Sequence, residues 1–355
     1  MRKLIRINSD SGGNGDIWMR LISLYAVASL HPSLTLQVYI PSFMINLANS
    51  TFGSRIEFLP SNNSCNYHYT VLGLRGIISG ILRGNKYIVP YHRTVISDKK
   101  KLILKDRLNI TLFNLAKSLG IVQLPSWRWV NKYQGYLEII GIKEFRKISY
   151  SSFLIQLQKD RREIKESLQF TKVPISPELC VPGDLRNNVL VFPTGTSRQF
   201  VPIWWAKRYL PDAYYAFFIN DKDAVKFEKN GLKTISFYKE PGDIIFLSHI
   251  AKWTISTDSF PSHLLQSTTN KCTITLTEVL KSRIISPAFK GKIIDAIAPC
   301  HPCLHLDRVS HPLCMAGFKE CINWRSKVYT ENILNSIPFS NTAREVRNPN
   351  GNILV

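Results

Sequence analysis

Two short stretches, far apart in the chain, hold the residue types that chemistry needs. The first is Ser11-Gly12-Gly13-Asn14-Gly15-Asp16, which follows the strand-like Leu4-Ile5-Arg6-Ile7 and opens a helical pattern. Glycines let the backbone approach a ligand closely. Asp16 at the helix start reads as a cap when taken alone, and as a general base if it faces a cleft. The second stretch is Ser256-Thr257-Asp258-Ser259-Phe260-Pro261-Ser262-His263, which follows the apolar Trp253-Thr254-Ile255 and precedes the helical Leu264-Leu265. Here a carboxylate, hydroxyls and an imidazole sit where a strand stops and a helix begins. Ligands of open α/β sheets bind at the carboxyl ends of strands, and a helix N-terminus there offers N–H groups to a phosphate. Each stretch alone also reads as an ordinary Asp-capped helix. Two of the same kind, at opposite ends of one chain, point to a site.

A third group is Cys300, Cys303, Cys314 and Cys321. Its spacing fits a tetrahedral structural zinc ion, with His301, His305 and His311 close enough to replace a thiolate. Four reduced thiols in a loop-rich segment fit equally. Nothing in the segment suggests a catalytic metal, which needs a carboxylate or an open position. The remaining cysteines, Cys65, Cys180 and Cys272, read as small core or loop residues.

The elements that must position these residues alternate. Strand, Gly-rich turn, helix (Ile17, Leu21, Leu24 and Ala28 marking one buried face), strand Leu34–Ile40, short helix Met44–Ala48 and strand Arg55–Leu59 come in succession. Tyr69–Gly73 reads as a further strand, and Ile103–Leu119 and Phe153–Leu168 as helices. That alternation predicts a parallel sheet with right-handed crossovers. Thr171 to Asp184, rich in Pro and Gly, reads as a linker. The alternation then restarts at Val189–Phe192 and continues to Lys271–Leu276, and periodicity fades after Ser336. The expected organisation is a first lobe over residues 1–172, a second over 185–325, and a C-terminal helix with a loose tail over 326–355. The first turn is not a dinucleotide fingerprint, because position 18 is Trp, and not a P-loop, because no Lys-Ser/Thr pair follows.

Composition narrows the partners. In 355 residues, 46 Lys and Arg stand against 25 Asp and Glu, a net charge of +21 that favours anionic partners. The excess is dense between Arg75 and Arg107 (Arg83, Lys86, Arg93, Lys99, Lys100, Lys101 and Lys105), either a solvated face or a surface for an anionic acceptor or membrane. No signature of a nucleic-acid module is present, so no specific nucleic acid is expected. No apolar run reaches transmembrane length. Met1-Arg2-Lys3 leads into a polar Asn8-Ser9-Asp10 rather than a signal peptide. A cytoplasmic chain is expected, peripheral on the inner face of the cytoplasmic membrane, where disulfides are rare.

Taken together, the Gly-Asp turn, the Asp258–His263 turn, the loop Val191-Phe192-Pro193-Thr194-Gly195-Thr196-Ser197-Arg198 with Pro202 and Trp205 behind it, and the cysteine segment resemble the heptosyltransferase-like glycosyltransferases of family 9. The resemblance covers roughly residues 1–335. Two positions depart from the family pattern. Phe260 stands where the family has Gly, and Gln199 falls where its phosphate-loop Lys would be, with Arg198 one place away. The resemblance implies a GT-B α/β architecture, two Rossmann-like domains whose parallel sheets face a central cleft. It implies an inverting, metal-independent transfer of a heptose or similar sugar from a nucleotide-diphosphate donor, an ADP-sugar foremost, to a lipopolysaccharide or other surface-glycan acceptor. Asp16 would be the base, with Gly12, Gly13, Asn14 and Gly15 on the acceptor side. Thr194, Gly195, Thr196, Ser197, Arg198, Asp258, Ser259 and His263 would bind the donor. The alternative from a different class is a non-enzymatic basic protein that grips anionic glycan or nucleic acid on the same scaffold. A nucleotide-sugar epimerase or dehydrogenase with one Rossmann domain fits less well, since a second βα half follows the first. For the cysteines, mass spectrometry of the purified native protein gives one zinc per chain if they bind it; a ratio near zero removes zinc.

Overall fold

The computed structural model describes residues 3–10, 13–61, 69–71, 86–88, 122–123, 150–169, 172–194, 200–238, 240–277, 280–299, 301, 320–338, 346–347 and 353–354. The first lobe holds strands β1 (Lys3–Asn8), β2 (Leu34–Ile40), β3 (Ile56–Pro60), β4 (Tyr69–Val71), β5 (Lys86–Ile88) and β6 (Val122–Gln123), with helices α1 (Asn14–Leu30), α2 (Ile45–Phe52) and α3 (Tyr150–Ser167). The second holds β7 (Val189–Phe192), β8 (Tyr214–Phe218), β9 (Lys233–Phe237), β10 (Trp253–Thr257), β11 (Cys272–Thr275) and β12 (Lys292–Ile294). Its helices are α4 (Ile203–Tyr209), α5 (Lys222–Lys229), α6 (Gly242–Ile250), α7 (Phe260–Thr268), α8 (Lys281–Ile284) and α9 (Lys327–Ser336).

The two sheets run β3-β2-β1-β4-β5-β6 and β12-β11-β10-β7-β8-β9. Every pairing in both is parallel. Counted from its own first strand, each sheet has the same doubly wound order, and in each the winding reverses between the first strand and the fourth. The expected α/β class with two Rossmann-like parallel sheets is therefore what the chain forms. Strand β12 is an element that the sequence pattern does not announce, since it is three residues long and only partly buried. In the tail, where no order is expected, β13 (Val346–Arg347) and β14 (Ile353–Leu354) pair antiparallel. Helix α9 packs Tyr329 and Ile333 into the core on one side of the second sheet, beside Trp205 and Trp324.

One expectation needs correction. Helix α1 is not amphipathic with a single buried face: Gly15 and every residue from Ile17 to Ala28 are buried, Arg20 and Ser23 included. A helix covered all round lies inside a protein rather than on it. Its own sheet covers one side, α3 a second, and α7 of the other lobe a third. Trp18 shows the consequence. Its ring packs, tilted, 5.1 Å from that of Phe52 of its own lobe, and its indole N–H reaches Ser267 Oγ of α7 at 3.4 Å. One apolar cluster runs without a break from Ile5 and Leu24 through Leu157 to Leu264 and Ile274, so the lobes share a core.

The linker and α3 hold this arrangement by polar contacts. Asp243, fully buried in the first turn of α6, accepts from the backbone N–H of Ser176 at 2.8 Å and of Tyr238 at 2.9 Å. A Cβ on Gly242 would lie 1.8 Å from the Pro174 carbonyl oxygen, so only glycine lets the linker lie this close. On α3, buried Asp160 pairs with Arg55 at 2.9 Å, while Glu163 binds Arg55 at 2.8 Å and accepts from the Tyr25 hydroxyl at 2.9 Å. Burial pushes the Asp160 carboxyl up despite Gln156 and Arg55. The same helix donates from Gln158 to the Pro287 carbonyl of the second lobe at 3.3 Å.

Helix α6 carries His249, which meets the backbone of Leu168 just past α3. Burial lowers its imidazole below the ordinary 6.5, a bond to Leu168 opposes this, and Lys165 and Lys271 lower it further. The unfolded chain therefore binds the proton more tightly. The stability this group contributes is complete above pH 6.5 and is lost as pH falls from there to the folded-state value. Thermal denaturation across this range should show melting temperature falling with acidification, and His249→Gln should flatten the slope; an unchanged slope would exclude His249 as a source.

Candidate functional site

Both chemically equipped stretches fall at the reversal points of the two sheets. After β1, Gly13 takes an extended conformation (φ −75°, ψ 157°) and α1 starts at Asn14. Asp16 lies in its first turn, and its Oδ2 accepts from the Gly13 N–H at 3.2 Å. A carboxylate here is favoured by the free N–H groups and the positive end of the helix dipole.

After β10, whose five residues are all buried, the chain turns through Asp258 into α7. The cap is not Asp258, as the plain helix-start reading would have it, but Ser259, whose backbone is extended (φ −156°, ψ 177°). Ser262 Oγ accepts from the Ser259 N–H at 3.2 Å and donates to the Ser259 carbonyl at 2.8 Å. Ser259 Oγ donates to the Thr257 carbonyl at 3.1 Å. Pro261 costs no hydrogen bond in the first turn, where N–H groups have no helical acceptor. Phe260, in the family's glycine position, packs its partly buried ring against the shared core.

The decisive contact joins the two turns. His263 is 6% exposed, and its ring lies on the backbone of Gly15: a Cβ added there would sit 2.2 Å from His263 Cδ2 and 3.0 Å from Nε2. Nε2 is 3.3 Å from Asp258 Oδ1. Asp258, His263, Gly15 and Asp16, from residues separated by most of the chain, thus form one neighbourhood, with Gly13 and Asn14 at the same helix start. The phosphate-loop segment starts next door. Ser256 of β10 is in register with Phe192 of β7, so the chain leaves β7 at Pro193-Thr194 beside the Asp258 turn. The Val201 N–H closes this loop on the Pro193 carbonyl at 2.8 Å, with Thr194 half-buried at its start.

Other expectations fall outside the described residues: Gly12, Gly195, Thr196, Ser197, Arg198, Gln199, most of the basic stretch, the helix over 103–119, and Cys300, Cys303 and Cys314 with His305 and His311. Of the cysteine group, Cys321 is described, and its sulfur accepts from Asn323 Nδ2 at 3.2 Å. Among the described residues no group of three His, Cys, Asp or Glu could hold a metal ion. Sequence reasoning missed Ser9 and Gln266. Ser9 directly follows β1 and is fully buried, with its hydroxyl unpartnered among the described residues. Gln266 is 1% exposed and touches His263 from behind. Ser9 could have been found as a polar residue at a strand's carboxyl end; Gln266, one polar residue in a short helix, gives no signal.

No protein-family model matches the chain, and neither does any curated protein. Solved structures do. A glycosyltransferase of family 9 from Veillonella parvula superposes with a TM-score of 0.54 over 94% of this chain and 96% of that one, at 11% identity. The chain has the fold of family 9 glycosyltransferases. A second structure with this fold is TibC of enterotoxigenic E. coli, an iron-containing dodecameric glycosyltransferase. Its TM-score is 0.50 over 94% of this chain and 75% of that one, again at 11% identity. Identity this low carries the GT-B arrangement of two facing lobes and leaves the chemistry to the residues present.

Gly15 offers a direct check that the two turns meet. Gly15→Ala drives a methyl into the His263 ring, an overpacking expected to cost about 1–3 kcal/mol. The double variant Gly15→Ala with His263→Ala should recover part of that loss in denaturant unfolding. Additive losses would mean the two residues do not touch.

Proposed function

We propose that this protein is an inverting glycosyltransferase that moves a sugar from a nucleotide-diphosphate donor to an anionic glycan or glycolipid. The observation that carries this reading is the lodging of His263 against Gly15. It gathers a carboxylate from each lobe, at the reversal points where ligands of such sheets bind, in a fold shared with family 9 glycosyltransferases.

In this reading the donor lies on the second lobe. Asp258 accepts hydrogen bonds from sugar hydroxyls. The N-terminal N–H groups of α7, together with Thr194, Gly195, Thr196, Ser197, Arg198, Ser259 and His263, meet the negative charge of the diphosphate. The acceptor hydroxyl comes from the side of Gly12 to Gly15 and attacks the anomeric carbon opposite the leaving group. Asp16 takes its proton as the new C–O bond forms and the bond to the diphosphate breaks, so configuration inverts and no covalent enzyme intermediate arises. Preorganised dipoles and cationic side chains supply charge stabilisation, so a catalytic metal is not required. An ADP-sugar carrying heptose or a similar sugar is the expected donor, and a lipopolysaccharide-type glycolipid the expected acceptor. The net charge of +21 suits such an acceptor, reached from the inner face of the cytoplasmic membrane. Among the described residues, no helix is long and apolar enough to cross a membrane.

A thermal-shift screen over nucleotide diphosphates and their sugars tests the reading, because a ligand bound only by the folded state raises its melting temperature. The expected result is a shift with one nucleotide series that Asp258→Ala abolishes. Asp16→Asn keeps an acceptor for the Gly13 N–H and should retain the shift while transfer slows about 10²–10⁴-fold. No shift with any nucleotide sugar, alongside strong salt-sensitive binding of nucleic acid or anionic glycan, would replace the enzyme with a binding protein.

A further inference from the structure

The function proposed above leaves open what holds His263, the side chain at the junction of the two lobes. Behind it, on the next turn of α7, lies Gln266. Its Oε1 is 2.6 Å from the backbone N of Ser286, and its Nε2 is 3.4 Å from His263 Nδ1. These groups are almost completely buried: Gln266 is 1% exposed, His263 6%, Ser286 7% and Asp258 8%.

The chemistry of the donors fixes every proton in this row. A backbone N–H can only donate, so the Gln266 atom facing Ser286 is the carbonyl oxygen. The amide NH₂ is then the group that faces His263, and an NH₂ can only donate. Nδ1 must therefore accept and carries no proton. In the neutral ring the proton sits on Nε2, which faces Asp258 Oδ1 at 3.3 Å. The distance brings that N–H toward the carboxylate without the alignment of a hydrogen bond. The opposite tautomer would set N–H against N–H at Gln266 and a bare nitrogen against a carboxylate at Asp258.

We propose that Gln266 is a positioning residue, anchored by the Ser286 N–H, that fixes the neutral tautomer of His263 so that the ring turns its N–H edge, and not a bare nitrogen, toward the Asp258 carboxylate. Gln266 touches no reacting group; it acts through His263. The edge of the ring that carries Nε2 is the edge lying on Gly15. The relay therefore sets together what the ring presents to the donor-side carboxylate and what it lays on the other lobe. The consequence for donor binding rests on the transferase reading, whereas the tautomer does not.

The test is two-bond ¹H–¹⁵N correlation spectroscopy of protein labelled in its histidine rings, at a pH that leaves the ring neutral. The His263 signals are assigned by their loss in His263→Asn. The expected wild-type pattern is a pyridine-type Nδ1 and a pyrrole-type Nε2. Gln266→Glu keeps an acceptor for the Ser286 N–H but offers none but acceptors to the ring, so Nδ1 should become pyrrole-type. Gln266→Met, which removes both bonds without adding charge, should give a mixture of tautomers. Donor affinity, read by titration, should weaken about tenfold in Gln266→Glu, or about 1.4 kcal/mol. A protonated Nδ1 in wild type, or a folded Gln266→Glu with an unchanged ring pattern, overturns the inference. If wild type shows the expected tautomer but binds no nucleotide sugar, the transferase reading fails and the relay stands. If it binds donor with the other tautomer, the relay alone fails.

Discussion

The structure depends on one close approach between its halves, that of the first helix to α7. Helix α1 belongs to the first lobe by sequence and sheet, yet it is buried on every side because α7 of the second lobe lies along it. At the start of this contact the His263 ring rests on Gly15, and further along, Trp18 reaches Ser267. No residue other than glycine fits at position 15 without displacing the ring. The seam therefore mixes apolar packing with buried polar contacts and is chemically equipped at one end, where both helix N-termini open at the reversal points of their sheets.

This contact has mechanical consequences. Interfaces between domains that move freely are usually more polar than a core. Here an apolar cluster continues from one sheet to the other, and α3 spans both, with Asp160 and Glu163 held by Arg55 on the first lobe and Gln158 bonded to the second. The linker is docked by the fully buried Asp243, and Glu240 beside it bonds Asn46 of α2. Burial and Asp243 push the Glu240 carboxyl up, which marks how closely the linker region packs on the first lobe. Opening the lobes at the α1–α7 seam would expose Trp18 and Leu264 and cost about 25 cal/mol for each Å² of apolar surface.

Much of this was legible in the residues. The alternation of apolar runs with helical spacing gives β1, α1, β2, β3 and the second βα series nearly at their observed bounds, because period two and period three-to-four are local properties of the chain. The Asp258–His263 turn was legible for the same reason, an apolar strand ending in polar residues before a helix. The cap was not. Ser259 and Asp258 are both good capping residues, and only the backbone angles at Ser259 decide between them. The extent of α2 was also underread, since Asn49, Ser50 and Thr51 look like loop residues until Ser50 and Thr51 bond back to the Leu47 carbonyl.

By itself the sequence determined the two βα-repeating series and the two strand-to-helix turns, because each is written in hydrophobic period and turn chemistry within a few residues. Only tertiary structure decided that α1 is buried all round, that His263 meets Gly15 across the lobes, and that Gln266 stands behind that imidazole. The first two arise from packing between segments some 250 positions apart, and the third from a backbone N–H that the fold brings back 20 positions further on. A glycine needed for close approach, a tryptophan in a shared core and a glutamine between a backbone N–H and a ring nitrogen carry no local mark of the partner that gives them their roles.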